Sequence, residues 1–499
     1  MTIGIIGTGA MGRGIAQLMA QSGHPVLLFD SRPGAVQEAL TSLRDSWNKL
    51  VERGKLDKDA VTMARQMLNP VSDLRGLSSC TLVIEAIVED LKAKQDLFRA
   101  LEPVVAPHTI LATNTSSLSV AAIASACQRP QMVAGLHFFN PVPQMKVVEV
   151  IAAARTRPDV VEKLVKLVRE TGHTPVLASD TPGFIVNHAG RGYGTEALRC
   201  LQENVADVVT IDRILRDQGG FKLGPFELFD LTALDVSHPV MESIYHQYYE
   251  EPRYRPSPIT AQRRAAGLLG RKSGEGFYLY RDGARVEPSE RRPPPAQRPP
   301  VYVAEPNAGQ RELLLALLQN VGVTPLAQPR DDALLLLAPL GLDATAAALA
   351  ARLDARRTVA IDLVKPDSAM RRRVVMSTVA TEAAWRDAAV ALLHTDDRPV
   401  SALRDSAGFV TQRVLAALIN IACDICQQRV CSPADLELAV TLGLGYPQGP
   451  LAMGDALGPQ RVLQVLEGIH ACTQDPRYRP SPWLRRRAQL GLSLSHVEA

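Results

Sequence analysis

Residues Ile3-Gly4-Ile5-Ile6-Gly7-Thr8-Gly9-Ala10-Met11-Gly12-Arg13-Gly14-Ile15 decide the fold. Ile3 to Ile6 reads as a short buried strand, the Gly7 to Gly12 run ends it in a tight turn, and Ile15, Leu18 and Met19 then recur at helical spacing. A GxGxxG run alone is weak evidence. This one gains meaning from its neighbours downstream, a second strand at Val26 to Phe29 with an acid, Asp30, at its end. Gly7 permits the turn, Gly9 lets backbone approach a pyrophosphate, and Gly12 lets helix pack closely on strand, with the phosphates at the helix N-terminus. Asp30 would accept hydrogen bonds from an adenosine ribose and repel a 2′-phosphate, so NAD is expected over NADP, a choice that the nearby Arg32 weakens slightly.

Outward from this unit, strands are expected at Thr81 to Ala86, Thr109 to Ala112 and Met132 to His137, with helical stretches between them, the order of a doubly wound α/β sheet. A polar, helix-forming segment from Gly34 to Leu68, carrying Arg44, Lys49, Arg53, Lys55 and Lys58, is longer than a crossover requires. It is either a solvated arm or a grip on an anionic ligand tail, and composition does not choose between them. Polar groups gather just beyond the expected strand ends, where ligands bind in open α/β sheets, in Asn114-Thr115-Ser116-Ser117, His137-Phe138-Phe139-Asn140-Pro141 and at Glu149 in Lys146 to Val150. A histidine is the natural base for a hydroxyl proton near neutral pH, and a carboxylate beside it would fix its tautomer. Read alone, a histidine before two phenylalanines is more often a packed core residue.

These stretches together resemble the 3-hydroxyacyl-CoA dehydrogenases. The resemblance runs through Gly7 to Gly14 with Ile15-Ala16-Gln17, Glu85-Ala86 leading to Glu89 and Lys94-Gln95, Asn114 to Ser117, His137 to Pro143, Glu149, Asp180-Thr181-Pro182-Gly183-Phe184 and Gly274-Glu275-Gly276-Phe277-Tyr278. It covers about residues 1 to 280 and implies an NAD-dependent oxidation of a (3S)-3-hydroxyacyl-CoA to the 3-oxoacyl-CoA. By resemblance, His137 is the general base, Glu149 its orienting acid, Ser116 a hydrogen-bond partner of the substrate oxygen, Asn187 the residue that holds the reacting acyl group, and Asn140 a support of this network. Gly7, Gly9, Met11, Gly12, Asp30, Glu89, Lys94 and Asn114 are the expected cofactor contacts, and the Gly34 to Leu68 arm matches a helical pair that clasps coenzyme A. No metal is implied.

The chain also repeats itself at a period near 225 residues. Asp180-Thr181-Pro182-Gly183-Phe184 recurs as Asp405-Ser406-Ala407-Gly408-Phe409, Gly224-Pro225 as Gly449-Pro450, and Pro252-Arg253-Tyr254-Arg255-Pro256-Ser257-Pro258 as Pro476-Arg477-Tyr478-Arg479-Pro480-Ser481-Pro482. At that offset His137 falls on Asp362, Asn140 on Lys365, Glu149 on Val374, Asn187 on Gln412 and Ser116 on Gly341, so no proposed catalytic group is retained. No GxGxxG follows the expected strand Val301 to Ala304, and the room before Leu334 is too short for the arm. The expected organisation is a Rossmann domain at 1–180, a helical domain at 181–283, a Pro/Arg-rich linker at 284–300 containing Arg291-Arg292-Pro293-Pro294-Pro295, a degenerate shortened Rossmann-like domain at 301–400 and a second helical domain at 401–490. In the single-copy family such helical domains pair between subunits, so an internal pseudo-dimer is expected, with contact around Pro225 to Asp230 and Pro450 to Asp455; further homo-oligomers stay open.

The whole chain sets outer bounds. Its 499 residues, 46% hydrophobic and 21% charged, suit a multidomain globular protein. A net charge of +3 gives no sign of a nucleic-acid partner. The seven cysteines form no disulfide framework, which suits the cytoplasm, and Cys423 and Cys426 read as core packing within an apolar helix. The longest apolar run, around Leu334 to Leu342, is far short of the ~20 residues of a membrane span, and the first residues read as a strand rather than a signal peptide. Among family members, the two-part layout resembles the phenylacetate-degradation branch that acts on 3-hydroxyadipyl-CoA, with 3-hydroxybutyryl-CoA dehydrogenases as neighbours. Two other readings compete: a dehydrogenase of a free hydroxy acid such as L-gulonate, which the retained arm disfavours, and a non-catalytic NAD-binding subunit.

Overall fold

A computed structural model describes residues 1–290, 292–293 and 295–498. Fully buried tetrads become its central strands: β1 (Ile3–Ile6), β4 (Leu82–Glu85) and β5 (Ile110–Thr113), apolar but for Glu85 and Thr113 at their ends, face protein on both sides, as parallel strands covered by helices must. With β2 (Val26–Phe29), β3 (Leu68–Pro70), β6 (Val133–Phe138), β7 (Val147–Ala152) and β8 (Thr174–Ser179) they form an eight-stranded sheet in the order β3-β2-β1-β4-β5-β6-β7-β8. The pairing of β6 with β7 is antiparallel; the rest is parallel. Chain order reverses between β1 and β4, which opens the crevice where ligands bind in such sheets.

Three of these strands, β3, β7 and β8, lie outside the sequence-based set. The gain from β7 is decisive for the site, because Glu149 lies within it and not beyond a strand end. Val147, Val148, Val150 and Ile151 bury this strand, and Glu149 is the acid among them. The Gly34 to Leu68 segment forms two helices, Ala35–Glu52 and Lys58–Gln66, the second capped by the Asp57 carboxylate. Leu43, Trp47, Val61 and Ala64 join their inner faces to the core around Ile15, Leu18 and Met19.

The chain divides into two compact units that cut across the linear domain order: Met1–His188 with Gln428–Gly445, and Ala189–Gln427 with the residues from Tyr446 onward. In the first, the helix Pro433–Gly443 packs on β7 and β8, and Ser179 donates its N–H to the Val430 carbonyl at 2.8 Å.

The second unit holds a hairpin of β9 (Leu279–Arg281) and β10 (Ala284–Val286), then a five-stranded sheet of β11 (Val301–Val303), β12 (Leu334–Leu337), β13 (Thr358–Ile361), β14 (Arg373–Ser377) and β15 (Val400–Leu403), in that order. Its one antiparallel pairing is β13 with β14, the same pattern that β4 to β8 show. β11, at the expected Val301 to Ala304, is an edge strand beside β12, and among the described residues this sheet has no strand beyond it. Of the expected linker, Ala284–Val286 is paired strand, Glu287 and Glu290 are ion-paired to Arg213, Arg216 and Arg372, and Arg291 and Pro294 lie outside the described residues.

Two helices, Arg191–Gln202 and Val410–Gln427, pack together at close range: a β-carbon on Gly192 would stand 3.0 Å from Ile421. Buried Arg413 bridges them, its guanidinium 2.9 Å from Glu196 and 2.7 Å from Glu203. The repeated Pro-Arg-Tyr-Arg segments meet as well, since Arg253 donates to the Arg479 carbonyl at 2.7 Å and Arg479 pairs with Glu251 at 2.7 Å. The helical regions thus meet through these elements.

Candidate active site

The glycine turn after β1 behaves as its sequence dictates. Gly7 has φ +88°, and a β-carbon there would lie 2.6 Å from the Ala86 carbonyl oxygen. One on Gly12 would overlap the Gly7 carbonyl oxygen at 1.8 Å, so only glycine lets the helix Ala10–Gln21 start this close to the strand. Gly9 differs: a β-carbon there would meet nothing within 4 Å, leaving a bare backbone cradle at a helix N-terminus, which fits a dinucleotide pyrophosphate. Half-buried Asp30, at the end of β2, accepts from the Thr8 N–H at 2.7 Å, the Thr8 hydroxyl at 2.9 Å and the Arg32 N–H at 2.9 Å. Burial raises its carboxyl, but these bonds outweigh burial and hold it below the usual carboxylate range. The Arg32 guanidinium is engaged with Glu38 at 2.6 and 3.0 Å, so the cation that weakened the case for NAD has an acid of its own.

At the ends of β4 and β5 a second cluster fixes the loop that carries Ser116. Glu89 accepts from the Thr115 hydroxyl at 2.7 Å and from the Ser116 and Ser117 N–H groups at 2.8 and 3.0 Å. Lys94, wholly buried, reaches Glu85 at 2.6 Å and Glu89 at 3.3 Å. Burial raises the Glu89 carboxyl; Lys94 and the hydroxyl and N–H donors lower it further, so the net shift is downward. Lys94 therefore anchors Glu89 while being fully buried itself. Asn114 accepts the Phe138 N–H at 2.8 Å, tying the end of β5 to the residue after His137.

Antiparallel register places His137 on β6 directly opposite Glu149 on β7. His137 Nδ1 lies 2.6 Å from Glu149 Oε2, and Glu149 Oε1 accepts the N–H groups of Ile185 and Val186 at 2.9 and 2.8 Å. The carboxylate is fully buried and His137 is 5% exposed, packed against Phe139 with ring centroids 4.3 Å apart. A carboxylate that deep needs such donors to stay charged. Asn187 follows Val186 and donates to the Ser116 carbonyl at 3.4 Å, so Ser116, His137, Glu149 and Asn187 belong to one network. Asn140 stands exposed on the loop after β6.

Sequence reasoning missed Asp180 as a working residue, although it opens the repeated motif. Its carboxylate accepts from the Ser119 hydroxyl at 2.9 Å and from the Val120 and Ala121 N–H groups at 2.9 and 2.7 Å, holding the start of the helix after β5. Asp405 does the same for Ala344 and Thr345 after β12. Phe184 and Phe409 share a left-handed backbone, φ 48° and 47°.

In the second half, the residues at the repeat offset bond only in part with one another, and one Asp362 carboxylate oxygen stays buried without a hydrogen-bond partner. Gln412 accepts the Gly341 N–H at 2.8 Å and donates to Asp362 at 3.0 Å, while Lys365 donates to the Gln218 and Gly219 carbonyls at 3.2 and 3.1 Å. Burial pushes the Asp362 carboxyl up to about 6, against the pull of Gln412, the Val364 N–H, Lys365 and Arg461. Among the described residues no helix is long and apolar enough to cross a membrane, and all seven cysteines are free thiols, with Cys423 and Cys426 buried in the helix Val410–Gln427.

Comparison with known proteins agrees with this geometry. Residues 2–181 match the model of the 3-hydroxyacyl-CoA dehydrogenase NAD binding domain, and residues 183–280 and 408–494 each match that of the 3-hydroxyacyl-CoA dehydrogenase C-terminal domain. The chain is 40% identical to a 3-hydroxyadipyl-CoA dehydrogenase of Escherichia coli K12, over 98% of both chains, and 41% identical to a probable 3-hydroxybutyryl-CoA dehydrogenase of Deinococcus radiodurans, over 56% of this chain and 100% of that one. The crystal structure of a 3-hydroxybutyryl-CoA dehydrogenase from E. coli K12 superposes with a TM-score of 0.87 at 36% identity, over 98% of both chains. An NAD-binding domain matched along the first sheet, a helical domain matched twice, and a relative aligned almost end to end lead to one conclusion: the chain belongs to the 3-hydroxyacyl-CoA dehydrogenase family.

Proposed function

We propose that this enzyme oxidises (3S)-3-hydroxyacyl-CoA thioesters to 3-oxoacyl-CoA at the His137 site of its first half, with 3-hydroxyadipyl-CoA or 3-hydroxybutyryl-CoA as substrate. The observation that carries the reading is the His137–Glu149 pair, held at 2.6 Å beside the loop of Ser116 and the helix of Asn187. With Nδ1–H donated to Glu149, Nε2 has the lone pair that takes the 3-hydroxyl proton. Glu149, itself clamped by two backbone N–H groups, stabilises the imidazolium that results. Ser116 and Asn187 are assigned to the substrate oxygen and the acyl group. Bound NAD supplies the acceptor for the hydride from C3. Gly7, Gly9, Met11 and Gly12 would hold its pyrophosphate, Asp30 its adenosine ribose, and Glu89 with Asn114 the nicotinamide end. The arm of Ala35–Glu52 and Lys58–Gln66 is assigned to the coenzyme A moiety.

The region from β11 to β15 and the helices after it are read as a degenerate second copy without chemistry of its own. The shared strand pattern of β4–β8 and β11–β15, the matching roles of Asp180 and Asp405, and the mutual pairing of Asp362, Gln412 and Gly341 support this. The packing of Arg191–Gln202 on Val410–Gln427 is read as the internal counterpart of a subunit interface. A cytoplasmic site of action fits the free thiols.

The test is NADH formation from purified protein with 3-hydroxybutyryl-CoA, 3-hydroxyadipyl-CoA and L-gulonate in parallel. Turnover of a CoA thioester is expected, and their relative rates assign the substrate; turnover of gulonate alone would overturn the reading. In His137→Gln, kcat should fall by about 10²–10⁴-fold while NADH binding is kept. A variant that turns over normally would remove His137 as the base.

A further inference from the structure

The short segment that carries Asn187 is held from two sides. On one side, Ile185 and Val186 donate their N–H groups to Glu149. On the other stands the helix Pro433–Gly443, which belongs to the second half of the chain yet packs in the same compact unit as the first. Its last residue, Gly443, backs onto Val186. A β-carbon at Gly443 would lie 3.0 and 3.2 Å from the two γ-methyls of Val186 and 3.4 Å from a γ-methyl of Val147, a residue of β7 like Glu149. The helix cannot readily retreat from that contact, because Leu436, Ala439 and Val440 are buried and the chain before it is tied to β8 by the bonds from Ser179 to the Val430 and Arg429 carbonyls, at 2.8 and 3.3 Å.

We propose that Gly443 is a positioning residue for the dehydrogenase site: by allowing this helix to close on Val186, the second half of the chain sets where Asn187 and the Glu149–His137 pair stand. The inference rests on the assignment of His137 as base. Its physical basis is the chain of direct contacts from Gly443 to Val186, from the Val186 N–H to Glu149 at 2.8 Å, and from Glu149 to His137 at 2.6 Å. A methyl group at Gly443 forces Val186 to yield by a few tenths of an ångström, and that displacement falls on the N–H that orients the carboxylate. Reacting groups misplaced by about 1 Å lose about 10²-fold in rate, so a fraction of that shift is measurable.

The experiment uses the full chain. Gly443→Ala is expected to lower kcat by about threefold to tenfold and Gly443→Val by about tenfold to a hundredfold, with the Kd for NADH unchanged and KM for the acyl-CoA moving much less than kcat. Adding Val186→Ala to Gly443→Ala removes the colliding methyls and should return kcat to that of Val186→Ala alone. Three results would overturn the proposal: unchanged kcat in both Gly443 variants, failure of Val186→Ala to restore Gly443→Ala, or loss of NADH binding in step with kcat. If Gly443→Val does not fold, Gly443→Ala and its rescue decide the matter. A failure here is distinct from failure of the underlying assignment, since the latter shows as normal turnover in His137→Gln.

Discussion

Glu89 shows how one side chain can serve the site without joining the chemistry. It gathers Thr115, Ser116 and Ser117 and is itself held by buried Lys94, and the balance of these contacts leaves its carboxyl below the ordinary range. A carboxyl depressed on folding contributes stability above its unfolded value, about 4.3, and loses it as pH falls through the folded value. Glu89→Gln should therefore be less stable than the parent chain at neutral pH, with the gap closing as pH falls below the ordinary carboxyl range; urea midpoints measured along that range check it. A gap independent of pH would assign the effect to packing rather than charge. The Glu149–His137 pair makes the complementary point. The residues are 12 apart in sequence, and it is strand register, not helical spacing, that makes them neighbours.

At the level of elements, the strand–turn–helix at the start of the chain separates two kinds of glycine. Gly9 borders open space and Gly12 borders the Gly7 carbonyl. Gly9→Ala should keep the unfolding midpoint of the parent and lose NADH affinity by at least about tenfold, because a methyl enters the phosphate cradle. Gly12→Ala should lose both, since its methyl must drive the helix off the strand; calorimetry beside an NADH titration distinguishes them, and equal behaviour would refute the distinction. This element was legible in the sequence because its glycines, apolar spacing and Asp30 are all local. The site was legible more through the resemblance than through pattern, as the spacing of His137 and Glu149 carries no signal without the strand β7. That strand escaped notice because a buried parallel or mixed-sheet strand lacks the polar alternation by which strands are read.

At the scale of the whole molecule, the repeat could be read from Pro252 to Pro258 and Pro476 to Pro482, but the side chains that join its parts could not, since they are brought together only in three dimensions. Arg413 is the clearest case. Buried between the helices Arg191–Gln202 and Val410–Gln427, it binds Glu196, Glu203 and Tyr478. Arg413→Ala leaves buried Glu196 without this partner and should cost about 3–5 kcal/mol, read as a lowered urea midpoint. Restoring neutrality with Glu196→Gln in the same chain should recover much of that loss; no recovery would mean that packing, not charge, is what Arg413 supplies.

A compact unit made of Met1–His188 and Gln428–Gly445 also has a consequence in time. About 240 residues are synthesised between its two pieces, some 10–50 s of ribosomal elongation at ordinary rates. During that interval the nascent sheet of β1 to β8 exists without the helix that covers β7 and β8. A ribosome that stops short of Gly443 releases a chain with the nucleotide-binding motif and every assigned catalytic residue but an uncovered apolar flank, a species suited to capture by chaperones.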